Sequence, residues 1–322
     1  MTQQKIATIF GATGFIGRYV VQEFAQRGYT IRAASRTPNK AFFLKPCGNV
    51  GQVVPFPCDG SKKDIEAAVK NADVVVNCVG ILFEKKKDQF TKIHVNLAEQ
   101  IAKAASKQGV GRLIHISALS CDKAKSKYAK SKLAGEKKVQ KAFPDAVILR
   151  PSVVFGAEDN FFNMFARLAR PSFVCFLPLI GGGETKFQPV SVSDVADAVI
   201  EAASAPVGEY KKYAGEVFEL GGPDVIDFKG VYDKIKQFTA IKFCTFPLPW
   251  GLAKMNAAVL EVLPKPLLTR DQIESLKTDN VVATKAKTFK HLGIEARSMD
   301  SVLPEYLGQY SYKKSRAEQL AA

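Results

Sequence analysis

The sequence predicts an α/β protein, a doubly wound parallel sheet with a smaller lobe interleaved at its C-terminal end. Three observations carry that reading. Short β-branched runs alternate with helix-like stretches through the first half of the chain. Those runs are apolar on both faces, as strands covered by helices on both sides must be. A glycine-rich turn falls between the first run and the first helical stretch. The length of 322 residues suits one large or two ordinary domains, and 47% hydrophobic with 24% charged residues gives a chain with a sizeable core. Disorder, collagen and small disulfide scaffolds are excluded as the main architecture.

Taken in order, strands are expected at 5–10, 30–35, 52–57, 73–79, 112–117 and 146–150, with helices at 18–27, 62–70 and 96–108 between them. A later run at 216–220 ends at Gly221-Gly222-Pro223 and has the pattern to join the same sheet. From Phe155 onward the alternation breaks. Residues 160–180 are aromatic and apolar, interrupted by Arg167, Arg170, Pro171 and Pro178, and close on Gly181-Gly182-Gly183. Residues 188–202 read as a short strand entering a helix, with Ser193 or Asp194 as N-cap. Beyond about residue 224 the chain reads as mostly helical, with an apolar stretch at 246–268. No repeat or low-complexity linker marks a border. The expected division is residues 1–155 for the sheet and 156–322 for the interleaved lobe, with about 187–222 returning to the sheet.

Lys+Arg number 46 against 31 Asp+Glu, a net charge of +15. So basic a chain expects an anionic partner, such as nucleic acid, a membrane surface or an acidic protein. Nucleic acid is not expected, because no helix-turn-helix, zinc or aromatic platform pattern accompanies the charge. Six cysteines, at 47, 58, 78, 121, 175 and 244, never occur as Cys-x-x-Cys, and with three histidines they predict no metal site. Their scatter fits reduced thiols in a cytosolic compartment. Residues 1–5 run into the first strand without a charged-then-apolar leader, and no stretch has the roughly 20 apolar residues of a spanning helix. A soluble or peripheral protein is expected.

The strongest local signal is Ile9-Phe10-Gly11-Ala12-Thr13-Gly14-Phe15-Ile16-Gly17. A turn this tight needs glycine, whose backbone reaches φ values that side chains forbid. Without a Cβ the backbone also approaches a pyrophosphate closely, and the open amides at the helix start meet its charge. Gly11, Thr13, Gly14, Phe15, Ile16 and Gly17 are therefore candidate cofactor-binding residues. The second strand ends Ala33-Ala34-Ser35-Arg36, without the carboxylate that usually holds an NAD ribose. Arg36 has the chemistry to pair with a 2′-phosphate, and Ser35 to donate a hydrogen bond. NADP(H) is favoured and NAD(H) stays open.

The spacing Gly-x-x-Gly-x-x-Gly, rather than Gly-x-Gly-x-x-Gly, resembles the short-chain dehydrogenase/reductase superfamily in its extended or atypical branch, a Rossmann architecture. That resemblance implies adenine contact at Asp59 and a nicotinamide-ribose lining at Cys78-Val79-Gly80, with Val79 as the candidate. Tyr128 and Lys132 are four apart on an expected helix, so both side chains share one face. A nearby ammonium stabilises a phenolate, which is what a tyrosine acid or base requires. The superfamily places such a pair there, together with a Ser or Thr just beyond the fifth strand. Here the sequence reads His115-Ile116-Ser117-Ala118-Leu119-Ser120. The hydroxyl position falls on Ala118, with Ser117 one residue early and Ser120 as a substitute. Losing such a contact costs about 10²–10³ in rate, so Tyr128 and Lys132 are candidates for a catalytic pair or its vestige. Lys123, Lys125, Lys127, Lys130, Lys132, Lys137 and Lys138 crowd the same region, either as a solvated face or as a dock for something acidic.

Leu252, Met255, Val259 and Leu263 fall at helical spacing. They read as core and cleft lining, or else as an interfacial surface with basic edges. The runs Leu268-Thr269-Arg270-Asp271-Gln272-Ile273-Glu274-Ser275-Leu276-Lys277-Thr278-Asp279-Asn280-Val281-Val282 and Thr288-Phe289-Lys290-His291-Leu292-Gly293-Ile294 resemble one atypical branch, as does Ser301-Val302-Leu303-Pro304-Glu305-Tyr306-Leu307. Phe187-Gln188-Pro189-Val190 and Gly135-Glu136 match it too. That branch contains the nucleotide-holding accessory subunit of respiratory complex I (NADH:ubiquinone oxidoreductase) and its bacterial relatives. The resemblance implies a structural NADP(H), complex I subunits and an anionic membrane surface as partners. It implies a peripheral place on the cytoplasmic face of a bacterial inner membrane, or the matrix face if organellar. The competing reading is an active NADP-dependent reductase or epimerase.

Overall fold

In the computed structural model of the chain, the described residues are 5–170, 176–205, 210–264 and 266–311. The expectations attached to residues 1–4, Pro171 and Cys175 lie outside them. The strands are β1 (Ile6–Phe10), β2 (Thr30–Ser35), β3 (Val53–Pro57), β4 (Val74–Asn77), β5 (Arg112–Ile116), β6 (Val147–Pro151) and β7 (Val154–Phe155). They continue as β8 (Phe176–Ile180), β9 (Lys186–Phe187), β10 (Val190–Ser191), β11 (Val217–Leu220), β12 (Ile226–Asp227) and β13 (Cys244–Leu248). The helices are α1 (Phe15–Gln26), α2 (Lys62–Val69), α3 (Ala98–Lys107), α4 (Lys127–Ala142), α5 (Phe162–Leu168) and α6 (Val192–Ser204). Then come α7 (Phe228–Thr239), α8 (Trp250–Leu260), α9 (Arg270–Leu276) and α10 (Met299–Leu307).

The central sheet has seven strands in the order β11-β6-β5-β4-β1-β2-β3, and its pairs are parallel. The order reverses between β1 and β4, where a doubly wound sheet opens a crevice beyond its strand ends. Val20, Val21 and Phe24 of α1 pack with Val195 and Val199 of α6 on one face. Ile65 of α2, Ile101 and Ala105 of α3 and Val139 of α4 fill the other. Both faces are covered, as the unalternating apolar strands predict.

Three boundaries differ from expectation for local reasons. The strand expected over 73–79 stops at Asn77, because its side-chain Oδ1 accepts the Val79 amide at 3.1 Å and turns the chain. The helix expected at 96 is entered earlier, through wider π-helical turns at Thr91–Leu97. The N-cap of α6 is Ser191, not Ser193 or Asp194. Its hydroxyl accepts the Ser193 amide, while Asp194 sits buried in the first turn and pairs with Arg297.

Of the stretch expected to return to the sheet, Val217–Leu220 does so beside β6, and α6 covers a sheet face. The short strands pair elsewhere, β10 with β7 and β9 with β12. The second lobe has an aromatic core of Phe155, Phe162, Phe187, Phe228 and Tyr232. The tail is less helical than expected, because Cys244–Leu248 pairs with β8. Phe246 and Thr245 favour an extended pleat, and Pro247 is tolerated where a two-stranded ribbon is all edge. The core-lining reading of Leu252, Met255, Val259 and Leu263 is also corrected. Ala253 and Ala257 are the buried residues of α8, against Ile273 and Leu248, and the large side chains point outward.

Candidate dinucleotide site

Gly11 leaves β1 with φ +77°, and a Cβ there would stand 3.0 Å from the Cys78 carbonyl carbon and 3.1 Å from the Val79 nitrogen. The turn after β1 therefore presses on the end of β4, across the point where the sheet order reverses. Gly14 caps α1, and its amide donates to the Gly11 carbonyl at 2.9 Å. A Cβ at Gly17 would lie 2.2 Å from that same carbonyl oxygen, so the helix cannot pack this closely with a side chain there. α1 has no side-chain cap and no acidic residue in its first turn. The Phe15 and Ile16 amides and the Thr13 hydroxyl have no acceptor or donor among the described residues. These are the conditions that let a helix start hold a phosphate.

At the end of β2, Arg36 is exposed and engages none of the described residues, which leaves its guanidinium available to an anion. Ser35 is differently placed. Its hydroxyl donates to the Thr37 carbonyl at 3.1 Å and accepts the Thr37 amide at 3.2 Å. Asp59 follows β3 and accepts the Ser61 amide at 2.7 Å, which holds its carboxyl below the usual range. The glycine cradle and open amides fit a dinucleotide.

Tyr128 and Lys132 share one face of α4. Tyr128 is part-buried against Phe90 and His94, with ring centroids 5.8 and 5.5 Å away. Its hydroxyl has no partner among the described residues, and desolvation pushes it up to about 12. Lys132 is buried, alone among the lysines crowding this region, and its Nζ donates to the Ile116 carbonyl at 2.8 Å. Burial brings it down to about 8, with Glu136, Cys121 and Cys78 pulling the other way. Of the hydroxyls that could serve beside Tyr128, one is engaged and one is buried. Ser120 donates to the Asp279 carbonyl at 2.9 Å, and Ser117 is buried beside the Cys121 thiol, 4.0 Å away. Ala118 offers none.

Sequence reasoning missed His94, which is buried and bonded on both nitrogens. Nε2 accepts the Ile81 amide at 3.1 Å, so the proton sits on Nδ1 and is donated to Ser131 Oγ at 2.8 Å. Ser131 in turn donates to the Tyr128 carbonyl at 2.7 Å. It also missed an ionic cluster under α4. Arg150 of β6 grips Glu136 through two bonds, of 2.9 and 2.8 Å, and reaches Asp122 at 2.9 Å. Burial opposes the Arg150 cation, but the Glu136 carboxylate overrides it and the pKa rises. No local pattern announces either group, because their partners come from other elements. Among the described residues no cluster of three or more His, Cys, Asp or Glu is placed to hold a metal ion.

A family model described as NAD dependent epimerase/dehydratase family matches residues 7–221. The chain is 35% identical over 318 residues to the mitochondrial NADH dehydrogenase [ubiquinone] 1 alpha subcomplex subunit 9 of Arabidopsis thaliana, covering 95% of this chain and 78% of that one. The Rattus norvegicus subunit of the same name is 33% identical over 300 residues, covering 92% and 78%. Among solved structures, the NADPH complex of the quinone oxidoreductase QOR2 from Escherichia coli aligns with a TM-score of 0.69 at 20% identity, covering 94% and 99%. That last likeness speaks to the fold.

Proposed function

The chain belongs to the NAD dependent epimerase/dehydratase family, and from that premise we propose that it is a dinucleotide-holding accessory or assembly subunit of NADH:ubiquinone oxidoreductase, its cofactor structural. The observation that carries this is the likeness to the alpha subcomplex subunit 9 over 95% of the chain, far beyond the shared glycine turn. Residues 1–155 form the nucleotide-binding unit in this reading, and 156–322 the lobe that closes on it. The pyrophosphate lies at Gly11, Thr13, Gly14, Phe15, Ile16 and Gly17, with Asp59 at the adenine and Val79, Tyr128 and Lys132 at the nicotinamide end. Arg36 holds a 2′-phosphate, so the nucleotide is NADP(H); Ser35 joins it only by leaving Thr37. A bound dinucleotide supplies hydride chemistry in this family, but here Ala118 stands where a substrate hydroxyl donor belongs. Tyr128 and Lys132 then serve as ligands rather than as an acid–base pair.

The protein sits peripherally on the cytoplasmic face of a bacterial inner membrane, or on the matrix face in an organelle, against an anionic lipid surface. No described helix is long and apolar enough to cross a membrane. The outward residues of α8 and the turn after it, Leu252 at 50%, Met255 at 64%, Val259 at 73% and Val262 at 85% exposure, support a lipid contact. The experiment is native-gel migration from gently solubilised membranes, with mass spectrometry of the band and extraction of its nucleotide. Co-migration with NADH:ubiquinone oxidoreductase subunits and recovery of NADP(H) is the expected result. A free soluble species that turns over NADPH on a small substrate would overturn the reading.

A further inference from the structure

The run from Leu268 to Val282 is one the sequence singles out for its resemblance to the complex I branch, yet none of it belongs to the dinucleotide turn. Its structure supplies a role. Thr269 caps α9, forming a reciprocal pair with Gln272 at 3.2 and 2.8 Å. Ile273 is buried with Ala253 and Ala257 of α8, so α9 is firmly seated. From that seat Asp271 reaches the start of α4. Its two carboxylate oxygens accept the Lys127 amide at 2.6 Å and the Tyr128 amide at 3.0 Å. The α4 cap residue, Ser126, takes only the Ala129 amide, at 3.1 Å. A carboxylate some 140 residues away in sequence therefore completes the helix start that carries Tyr128.

Further along, the Asp279 carbonyl accepts Ser120 Oγ. Ser120 has φ +59°, a conformation that side chains rarely adopt. Asn280 is bonded on every side. Its Oδ1 accepts Ser152 Oγ at 2.6 Å and the Val153 amide at 3.2 Å, and its Nδ2 donates to the Leu119 carbonyl at 3.2 Å. Its backbone amide donates to Lys186 and its carbonyl accepts from Gln188. Three separate pieces of chain, the loop after β5, the end of β6 and the start of α4, are thus held by one segment. All three lie where the parallel strands end and a doubly wound sheet binds its ligand.

We propose that residues 268–282 are a strap that locks the nicotinamide end of the dinucleotide cleft, with Asp271 and Asn280 as its positioning residues. This rests on the dinucleotide reading above. With the strap in place the loop, the strand end and Tyr128 cannot part, so a nucleotide beneath them leaves only when the strap lifts. The strap acts on the rate of release.

The test loads the full chain with NADPH and follows loss of bound NADPH fluorescence after a chase with excess NADP⁺. Asp271→Ala and Asn280→Ala are expected to release at least about tenfold faster than the parent. Asp271→Asn, which keeps one acceptor oxygen, is expected to fall between. Tyr306→Phe, which removes a bond to Asp159 away from the strap, lowers thermal stability without changing release. If Asn280→Ala does not fold, Asp271→Ala decides, since solvent can reach the α4 amides it frees. Release from Asp271→Ala within about twofold of the parent overturns the strap while leaving the cofactor reading intact. A parent chain that retains neither NADPH nor NADH overturns the cofactor reading, and the strap with it.

Discussion

Acid strikes this protein first at two histidines. His94 and His115 are buried, and each keeps its bonds only when neutral: His94 accepts the Ile81 amide, and His115 Nδ1 accepts the Asn77 side-chain amide at 3.1 Å. Burial and then the Lys132 charge bring His94 down to about 3 from the ordinary 6.5. His115 is lowered well below the ordinary value by the same causes. An unfolded chain takes up a proton on each near pH 6.5, so below that pH the unfolded state binds more protons and stability falls as pH falls. The contribution is whole above about pH 7; about 2 kcal/mol from His94 is gone by pH 5, and His115 acts in the same direction. The urea midpoint is expected to drop across that window, before the carboxylates of Glu99 and Glu274, held low by their lysine partners, become protonated. A midpoint that stays level from pH 7 to 5 would show that these rings are not buried neutral.

At the scale of one element, α4 shows how a helix is set in place by the absence of a side chain. A Cβ on Gly135 would lie 2.1 Å from the His94 carbonyl oxygen, so α4 presses directly on the π-helical turns before α3. The same face carries Ser131 and Lys132, and Glu136 follows into the Arg150 cluster. Helix propensity alone makes Gly135→Ala stabilising by about 1 kcal/mol. Overpacking against backbone makes it destabilising by about 1–3 kcal/mol, since neither carbonyl nor helix can yield without moving Tyr128. The expected outcome of chemical denaturation is a net loss for Gly135→Ala. A net gain would mean that the two segments do not press together in solution.

Over the whole molecule, the unusual feature is an apolar helix that buries its small residues and shows its large ones. α8 turns Ala253 and Ala257 inward, against Leu248 and Ile273, and leaves Met255 and Val259 outside. A helix with apolar residues on its outward as well as its inward face wants cover on both sides. Lys125, Lys254 and Lys277 surround Glu274 nearby, so the rim adds positive charge to an apolar ridge. Such a face suits an anionic bilayer. Co-sedimentation with phosphatidylglycerol-containing vesicles is expected at low salt, weakening as salt screens the rim. The double substitution Met255→Asp with Val259→Asp is expected to abolish it. Equal binding to neutral phosphatidylcholine vesicles, or none to either, would exclude the lipid face.

The parallel sheet, the succession of strands and helices along the chain and the glycine turn are readable from the sequence alone. Each rests on local physics: apolar runs need cover on two sides, and the turn at Gly11 needs a φ that only glycine takes freely. Tyr128 and Lys132 share a helix face and Arg36 follows a strand end as expected, since spacing on a helix or place at a strand end is read along the chain. Ser35 shows the limit, because its hydroxyl was equally legible but is taken by Thr37. Only the tertiary structure decided what surrounds those residues. His94 beneath Tyr128, Arg150 under α4, the outward face of α8 and the reach of Asp271 to the start of α4 depend on which elements the core brings together. Hydrogen bonds and ion pairs act over about 3 Å, and no distance along the sequence measures that.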